Sequence, residues 1–277
     1  MSTWYTEKHT PHSGITLEIK RSIFQGRSEY QTLQIVETFD FGRMLLLDGL
    51  VMLTERDEFV YHEMIAHVPL NTHPFPEKVL VIGGGDGGTV REVLKHPQVR
   101  EVTLVEIDPM VVDAALEYLP TLSEGLRDPR TEILYGDGVQ FVADTPPGTY
   151  DIILVDSTDP IGPAKALFTE DFFRNCKEAL NPEGLFVSQS ESPFHHLPFM
   201  VDINRKIKGI FPAAAFYLAA VPTYPSGNWS FLMGSKAEEP PLPRCRDHGE
   251  LFTKYYDRQV HIASFTLPRF LTEALGI

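Results

Sequence analysis

The pattern of hydrophobic and polar positions changes near residue 60. Before this point, short runs such as residues 15–19 and 32–36 alternate apolar and polar side chains, which is typical of β-strands with one buried and one exposed face. Asp48-Gly49 separates two apolar runs and is a strong hairpin signal. Residues 1–60 are therefore predicted to form a small N-terminal antiparallel β-domain of five or six strands.

From residue 61 onward, buried strands alternate with helical segments. Mostly apolar runs occur at residues 78–82, 102–105, 152–155 and 185–188, and two further strands are expected at residues 214–221 and 229–234. Such an alternation predicts a mostly parallel sheet with helices on both faces, so residues 61–277 are expected to form one α/β domain. A proline-rich stretch at residues 238–243 is interpreted as a surface loop.

Composition narrows the classes of ligand. Lys and Arg number 24 against 38 Asp and Glu, giving a net charge of −14. This balance argues against nucleic-acid binding, which depends on Lys and Arg displacing counterions, and it favours cationic ligands. Cys176 and Cys245 have no CxxC spacing, so a reducing, cytoplasmic setting is expected. No signal peptide and no apolar run of about 18 residues is recognised, which predicts no membrane association.

A glycine cluster follows the strand at residues 78–82. Gly83, Gly85 and Gly88 satisfy GxGxxG spacing, and glycines there let the backbone turn sharply and approach a ligand. Glu106, at the end of the next strand, is placed to accept hydrogen bonds from ribose hydroxyls. We interpret the arrangement as a nucleoside site; the alternative is a tight turn with a solvated glutamate.

Asp86 lies within this glycine loop. Its carboxylate would repel a pyrophosphate, so it favours a cationic group such as an adenosyl sulfonium over a dinucleotide. An equal alternative is that Asp86 caps the helix that follows, a common role for Asp.

Carboxylates also follow other strands. Because loops after the carboxyl ends of parallel strands line the ligand crevice, one cleft is expected to collect Asp86, Glu106, Asp137, Asp156 and Asp159. A divalent metal is one alternative explanation, and a structural Asp-Pro turn at residue 159 is another. Residues 56–58 are interpreted as a solvated charged turn, and an isolated histidine such as His62 more often has a packing role.

Taken together, several segments resemble those of the spermidine synthases, in the polyamine aminopropyltransferase family. These segments are ERDEFVYHEM at residues 55–64, VIGGGDGG at 81–88, VEID at 105–108, VDSTDPIGP at 155–163 and VPTYPSG at 221–227. The resemblance implies a Rossmann-like, methyltransferase-type catalytic domain at residues 61–277. It also implies transfer of the aminopropyl group of decarboxylated S-adenosylmethionine to putrescine, which gives spermidine and methylthioadenosine.

The resemblance further implies that the donor is a co-substrate, that no cofactor or metal is needed, and that the chain forms homodimers or homotetramers. Catalytic roles would fall to Asp156 as proton acceptor and to Asp159 and Tyr61. The donor would be bound by Gln31, Gly83, Gly85, Asp86, Glu106, Asp137, Gly138 and Pro163. The polyamine would be bound by His62, Asp86, Asp156, Ser157, Thr158, Asp159, Tyr224 and Glu191. One departure from the relatives is Gly136, where an acidic residue is common.

Other functions share parts of this pattern. A nicotinamide-dependent oxidoreductase uses a similar glycine loop, but Asp86 argues against it. An S-adenosylmethionine-dependent methyltransferase shares the sheet and the ribose-binding acid, yet the aspartates at 86, 156 and 159 suit a polyamine better. An aminopropyltransferase acting on cadaverine or agmatine and a polyamine-binding protein without activity stay open.

Overall fold

The computed structural model describes residues 2–237, 245 and 251–277, and it gives the backbone but not the side chain of Pro163. The proline-rich stretch at residues 238–243, interpreted as a surface loop, lies outside the described residues. Within the described ranges, every helix is too short or too polar to cross a lipid bilayer.

The N-terminal segment forms a five-stranded antiparallel sheet with its strands in sequence order. The strands are β1 (Thr3–Thr10), β2 (Ser13–Arg27), β3 (Thr32–Thr38), β4 (Arg43–Leu47) and β5 (Leu50–Thr54). Asp48 and Gly49 connect β4 to β5 with φ angles of 48° and 79°, as a two-residue hairpin turn with two positive φ angles requires. The predicted antiparallel β-region is confirmed.

The remainder of the chain builds a seven-stranded, mostly parallel sheet. Its strands are β6 (Lys78–Gly83), β7 (Glu101–Glu106), β8 (Thr131–Tyr135), β9 (Tyr150–Asp156), β10 (Leu180–Gln189), β11 (Ala213–Ala219) and β12 (Trp229–Ser235). The sheet order is β11-β12-β10-β9-β6-β7-β8, and β12 runs antiparallel to both of its neighbours. The predicted α/β class is therefore confirmed.

Helices cover both faces of this sheet. They are α1 (Glu58–Thr72), α2 (Gly88–Leu94), α3 (Pro109–Tyr118), α4 (Gly138–Asp144), α5 (Glu170–Ala179), α6 (Leu197–Lys208), α7 (Arg258–Ser264) and α8 (Arg269–Leu275). Val79 and Val81 of β6 join one hydrophobic core, while Leu80 and Ile82 join the other. The strand is buried on both faces, which explains its continuous apolar run.

Helix α1 corrects one interpretation of the sequence. Residues 56–58 were expected to be a solvated turn, but Asp57 and Glu58 are only 4% and 8% exposed. Asp57 accepts hydrogen bonds from the backbone N–H and the hydroxyl of Thr223, at 2.9 and 2.7 Å. The helix also crosses the predicted boundary at residue 60, and the division of the chain at that residue stays a prediction.

The strand order places a crevice between β6 and β9. From β6 the chain proceeds outward to β7 and β8, and then returns to β9 on the other side of β6. Ligands of open α/β sheets bind outside the carboxyl ends of the strands at such a reversal of order. The glycine loop after β6 and the acidic segment after β9 both begin there.

Candidate functional site

The loop between β6 and α2 packs directly against the side chains of Asp156 and His62. Gly83, the last residue of β6, pairs with Asp156 at the end of β9. A Cβ atom added to Gly84 would lie 2.7 Å from Oδ2 of Asp156, and one added to Gly88 would lie 2.3 Å from the His62 ring. Side chains at these two positions would therefore displace the acid or the imidazole.

Asp156 is held by two hydroxyl groups. Tyr61 donates a hydrogen bond to its Oδ1 at 2.8 Å, and Thr89 donates to its Oδ2 at 2.7 Å. Burial, followed by the negative charge of Asp86, raises the pKa of Asp156, although His62 and the two hydroxyls oppose this shift. The carboxylate is thus a stronger base than an exposed aspartate.

His62 lies between two carboxylates. Its Nδ1 is 2.6 Å from Oε2 of Glu58, and its Nε2 is 3.4 Å from Oδ1 of Asp86. Burial alone would lower the pKa of His62, but the two carboxylates outweigh it and raise the pKa to about 10. His62 is therefore a buried cation at neutral pH, and its charge in turn outweighs burial and lowers the pKa of Asp86.

Arg91 extends this chain of charges behind His62. Its guanidinium donates two hydrogen bonds to the carboxylate of Glu58, at 3.1 and 2.8 Å, from the first turns of α2. Despite burial, His62 and Arg91 together lower the pKa of Glu58. The order Arg91, Glu58, His62, Asp86 alternates positive and negative charge and ends beside Asp156.

The same cluster has the spacing of a metal site. His62, Asp86 and Asp156 each offer one ligand atom, and these atoms lie within 4.8 Å of one another. A metal would need an imidazole nitrogen with a free lone pair, whereas both ring nitrogens of His62 face carboxylates. The arrangement therefore favours a charge network over metal ligation.

The charge of His62 can be tested directly. We expect the His62 ring to stay protonated up to pH 8 in the wild-type protein, because Glu58 and Asp86 both stabilise the imidazolium. Replacing Glu58 by Gln removes one of these charges and should lower the pKa of His62 by about one unit or more. Nitrogen-15 NMR titration of the ring would show this, with Glu55→Gln, at an exposed position, as the control. Titration of wild-type His62 near pH 6.5 would contradict the assignment.

Glu106 ends β7 on the other side of the glycine loop. Its Oε2 accepts the N–H of Gly85 at 3.1 Å, and its Oε1 accepts the N–H of Asp108 at 2.9 Å. Burial raises the pKa of Glu106 to about 7, although these backbone donors oppose the shift. A buried carboxylate that is partly ionised at neutral pH is thus held at the place that the sequence predicts for ribose binding.

Other predicted nucleoside-binding residues lie near the ends of β7 and β8 or follow β9. Gln31 donates through Nε2 to Oδ2 of Asp108 at 2.9 Å, which joins the N-terminal sheet to this edge. Asp137 is exposed and caps α4 by accepting the Val139 N–H at 2.8 Å. Gly138 begins α4, and Pro163 lies in the 3₁₀ helix Gly162–Phe168.

The segment after β9 carries the remaining predicted polyamine-binding residues. The Ser157 hydroxyl donates to the Thr158 carbonyl at 3.1 Å, and Gln189 donates to the same carbonyl at 3.3 Å. Burial, followed by the negative charge of Glu191, raises the pKa of Asp159 to about 7. Asp159 and Glu191 thus form a second carboxylate pair beside the Asp86–Asp156 pair.

Tyr224 connects the two sheets at the site. Its hydroxyl donates to the Met52 carbonyl of β5 at 2.5 Å, and its ring centroid lies 5.8 Å from that of Tyr61. The acids that the sequence predicts in one cleft occupy four places in the structure. Asp86 lies with Asp156, Asp159 lies with Glu191, Glu106 contacts the glycine loop, and Asp137 follows the edge strand β8.

The sequence interpretation missed three residues that shape this site. Glu58 and Arg91 fix the charge of His62, and Thr89 holds Asp156. Glu58 lies four residues before His62, a spacing that faces two side chains toward each other on a helix. That spacing could have indicated the pair, but only after α1 had been recognised.

Two family models match successive parts of the chain. A model of the spermidine synthase tetramerisation domain matches residues 3–55, and one of the spermine/spermidine synthase domain matches residues 58–242. The polyamine aminopropyltransferase of Bacillus mycoides (strain KBAB4) is 48% identical over 275 residues, covering 99% of this chain and all of the relative. That of Bacillus subtilis (strain 168) is 46% identical over 272 residues and covers 98% of each chain.

Solved structures show the same similarity. A crystal structure of a spermidine synthase in complex with the transition-state analogue AdoDATO superposes with a TM-score of 0.95 at 42% identity, covering 99% of this chain and 95% of the other. The spermidine synthase of Thermotoga maritima gives 0.92 at 41% identity, covering 99% and 94%. The chain therefore belongs to the spermidine synthase family, the polyamine aminopropyltransferases.

Proposed function

We propose that the protein transfers the aminopropyl group of decarboxylated S-adenosylmethionine to putrescine, giving spermidine and methylthioadenosine. The observation that carries this proposal is the Asp86–Asp156 pair beside the glycine loop. One carboxylate is kept anionic by His62, and the other has a raised pKa and two hydroxyl donors. Two acids with opposite shifts suit one to hold an amine and the other to accept a proton.

The donor site is assigned to the loops after β6, β7 and β8. Glu106 accepts hydrogen bonds from the two ribose hydroxyls, and its backbone donors from Gly85 and Asp108 keep its oxygens in place. Gly83 and Gly85 allow close approach of the backbone. The adenine and thioether parts would contact Gln31, Asp137, Gly138 and Pro163.

The amines are assigned to the acidic side of the crevice. Asp86 holds the positively charged donor, and His62 acts through Asp86 because both of its ring nitrogens already face carboxylates. Ser157, Thr158 and Tyr224 border the path of the acceptor. Asp159 and Glu191 receive its far ammonium, since a buried carboxylate pair is stabilised by a cation.

The reaction is a direct displacement. The nearer ammonium of putrescine loses a proton to Asp156, and the neutral nitrogen attacks the methylene carbon next to the sulfonium. The C–N bond forms as the C–S bond breaks, and the electron pair stays on sulfur, which leaves as neutral methylthioadenosine. No covalent enzyme intermediate is needed.

The proton transfer is favoured by shifts in the pKa of both the acceptor carboxylate and the ammonium. An alkyl ammonium has a pKa near about 10 and a carboxylate near about 4, so the transfer is unfavourable in water. Burial and Asp86 raise the pKa of Asp156, and the donor's sulfonium lowers that of the ammonium. Positioning supplies the rest; in the best intramolecular cases it contributes roughly 7–11 kcal/mol.

The assembly is proposed from the family match. Residues 1–60 would form the assembling β-domain of a homodimer or homotetramer, and residues 61–277 the catalytic domain. The match of the tetramerisation-domain model to residues 3–55 supports this division.

Product analysis tests the proposed function. The purified protein is incubated with decarboxylated S-adenosylmethionine and putrescine, and the mixture is analysed by mass spectrometry. We expect spermidine and methylthioadenosine. Parallel reactions contain cadaverine or agmatine as acceptor, or S-adenosylmethionine as donor. Methyl transfer from S-adenosylmethionine without any aminopropyl product would overturn the proposal.

Thr89 offers a finer test of the role of Asp156. Its hydrogen bond lowers the pKa of Asp156, so Thr89→Val should raise that pKa. Because the proton acceptor must be ionised, the acidic limb of the kcat profile should move upward by about one pH unit, the scale of one hydrogen bond to a charged group. Thr89→Ser keeps the hydroxyl and should restore the wild-type profile. An unshifted profile in Thr89→Val would show that Thr89 does not control the pKa of Asp156.

A further inference from the structure

Glu191 has an unusual environment between β10 and α6. Its backbone φ is 72°, a region that non-glycine residues rarely occupy. Its side chain is 1% exposed, and the described residues supply no directed hydrogen bond to either carboxylate oxygen. A buried carboxylate without directed hydrogen bonds is unfavourable, so a ligand that brings N–H donors would stabilise it.

His196 forms an ion-pair contact with this carboxylate. Its Nδ1 lies 2.7 Å from Oε2 of Glu191, an ion-pair contact that lacks the geometry of a directed hydrogen bond. The His196 side chain is 39% exposed, so it can move toward solvent without opening the core. The contact between His196 and Glu191 is therefore close, but another cation could replace His196.

Further titratable groups surround the pair. Asp159 follows β9 and interacts with both Glu191 and His196. On β1, His9 lies 3.2 Å from Glu7, and its ring centroid is 5.9 Å from that of His195. Glu7 and Tyr224 interact electrostatically with Asp159. The cluster thus joins the N-terminal sheet to the acceptor end of the crevice.

We propose that His196 is a specificity-determining residue whose imidazolium occupies the place beside Glu191 that the far ammonium of a diamine acceptor takes on binding. This inference rests on the proposed function. An ammonium carries three N–H donors, which would satisfy the carboxylate oxygens that His196 contacts without a directed hydrogen bond. The diamine must displace His196, whereas a monoamine need not.

The displacement depends on pH. Contact with Glu191 raises the pKa of His196, so the imidazolium persists to a higher pH than that of an unpaired histidine and competes with the diamine over that range. At higher pH the neutral ring no longer competes. Asp159 also takes up a proton near pH 7, so the contribution of His196 must be separated as a ratio between variants at each pH.

Calorimetric titration of the full-length protein with putrescine, in the presence of methylthioadenosine, tests this assignment. His196→Gln should bind putrescine about three- to fivefold more tightly than wild type at pH 6.5, the effect of losing one partly exposed ion pair. The affinity ratio of the two proteins should fall toward one as the pH is raised to 8.5, because the neutral ring of His196 no longer competes. His196→Arg, a permanent cation, should bind more weakly than wild type at pH 8.5.

Two controls isolate the effect. His195→Gln removes the neighbouring histidine, which contacts His9 and His196 but not Glu191, and should leave the affinity ratio near one at both pH values. Butylamine has the same carbon chain without the far nitrogen, so its affinity should be the same in wild type and His196→Gln.

The outcomes distinguish the role of His196 from the proposed aminopropyl transfer. An equal putrescine affinity of wild type and His196→Gln at pH 6.5 would overturn the role of His196 even if spermidine is formed. A tighter His196→Gln that also binds butylamine more tightly would overturn it too, because the effect would not depend on the far ammonium. The predicted pattern without spermidine formation would support His196 and refute the proposed function alone.

Discussion

Replacing Asp156 by Asn should lower kcat by about 10²- to 10⁴-fold, the range of effects seen when a positioned proton acceptor is lost. The amide has the size of the carboxylate, and its oxygen can still accept the hydrogen bond that Tyr61 donates at 2.8 Å in the wild-type protein. It cannot take a proton from an ammonium. Binding of the donor should stay close to wild type, because Glu106 and the nucleoside loops are untouched.

Steady-state kinetics and calorimetric binding of methylthioadenosine would separate these two effects. Asp171→Asn is a matched control, because that side chain is 91% exposed and belongs to α5. Near-normal turnover of Asp156→Asn would assign the proton transfer to another group. A large loss of nucleoside binding would instead indicate that Asp156 organises the donor site.

Replacing Glu106 by Gln should weaken donor binding by about 10- to 100-fold. Both carboxylate oxygens accept backbone N–H groups, from Gly85 and Asp108, and in an amide one of these acceptors becomes a donor. The charge-assisted hydrogen bonds to the ribose hydroxyls are also lost, and each such bond contributes about 1.5–3 kcal/mol. The kcat at saturating donor should change much less than the KM for the donor.

The pH dependence gives a second readout of Glu106. Since burial raises its pKa to about 7, wild-type affinity for methylthioadenosine should fall as the pH drops below 7 and the carboxylate is protonated. Glu106→Gln should lose this dependence, while Glu132→Gln, at an exposed position on the neighbouring strand, should keep it. Unchanged affinity in Glu106→Gln would place the ribose elsewhere.

Features with a local cause were predictable from the sequence. Alternation of apolar and polar side chains indicates a strand with one buried face, so the N-terminal strands could be predicted. Asp48-Gly49 adopts positive φ angles at both positions, which few dipeptides do readily. The glycine loop and Glu106 follow from the strand, turn and helix pattern, and their contact in the structure agrees with that pattern.

The start of α1 was not predictable in this way. All of its residues except Phe59 are buried, so no polar face marks the helix. Its charged beginning resembles a solvated turn, and only the packing of α2 supplies Arg91 as the partner of Glu58. The role of Glu58 therefore depends on tertiary contacts that the local pattern does not contain.

The hydrogen bonds around Asp156 also depend on tertiary contacts. Tyr61 comes from α1, Thr89 from α2 and Asp156 from the end of β9, so three distant segments form one hydrogen-bonded group. The order of strands β9 and β6 brings them together. Sequence reasoning placed Asp86 and Asp156 at strand ends, but it could not assign opposite pKa shifts to them without the position of His62.

The most direct test of the account follows both products over time. Purified protein is mixed with decarboxylated S-adenosylmethionine and deuterated putrescine, and spermidine and methylthioadenosine are quantified in the same samples by mass spectrometry. We predict labelled spermidine and methylthioadenosine in equal amounts with wild type, and formation of both products at least about 10²-fold more slowly with Asp156→Asn at the same nucleoside occupancy. Formation of methylthioadenosine without labelled spermidine, or equal rates in the two proteins, would contradict this prediction.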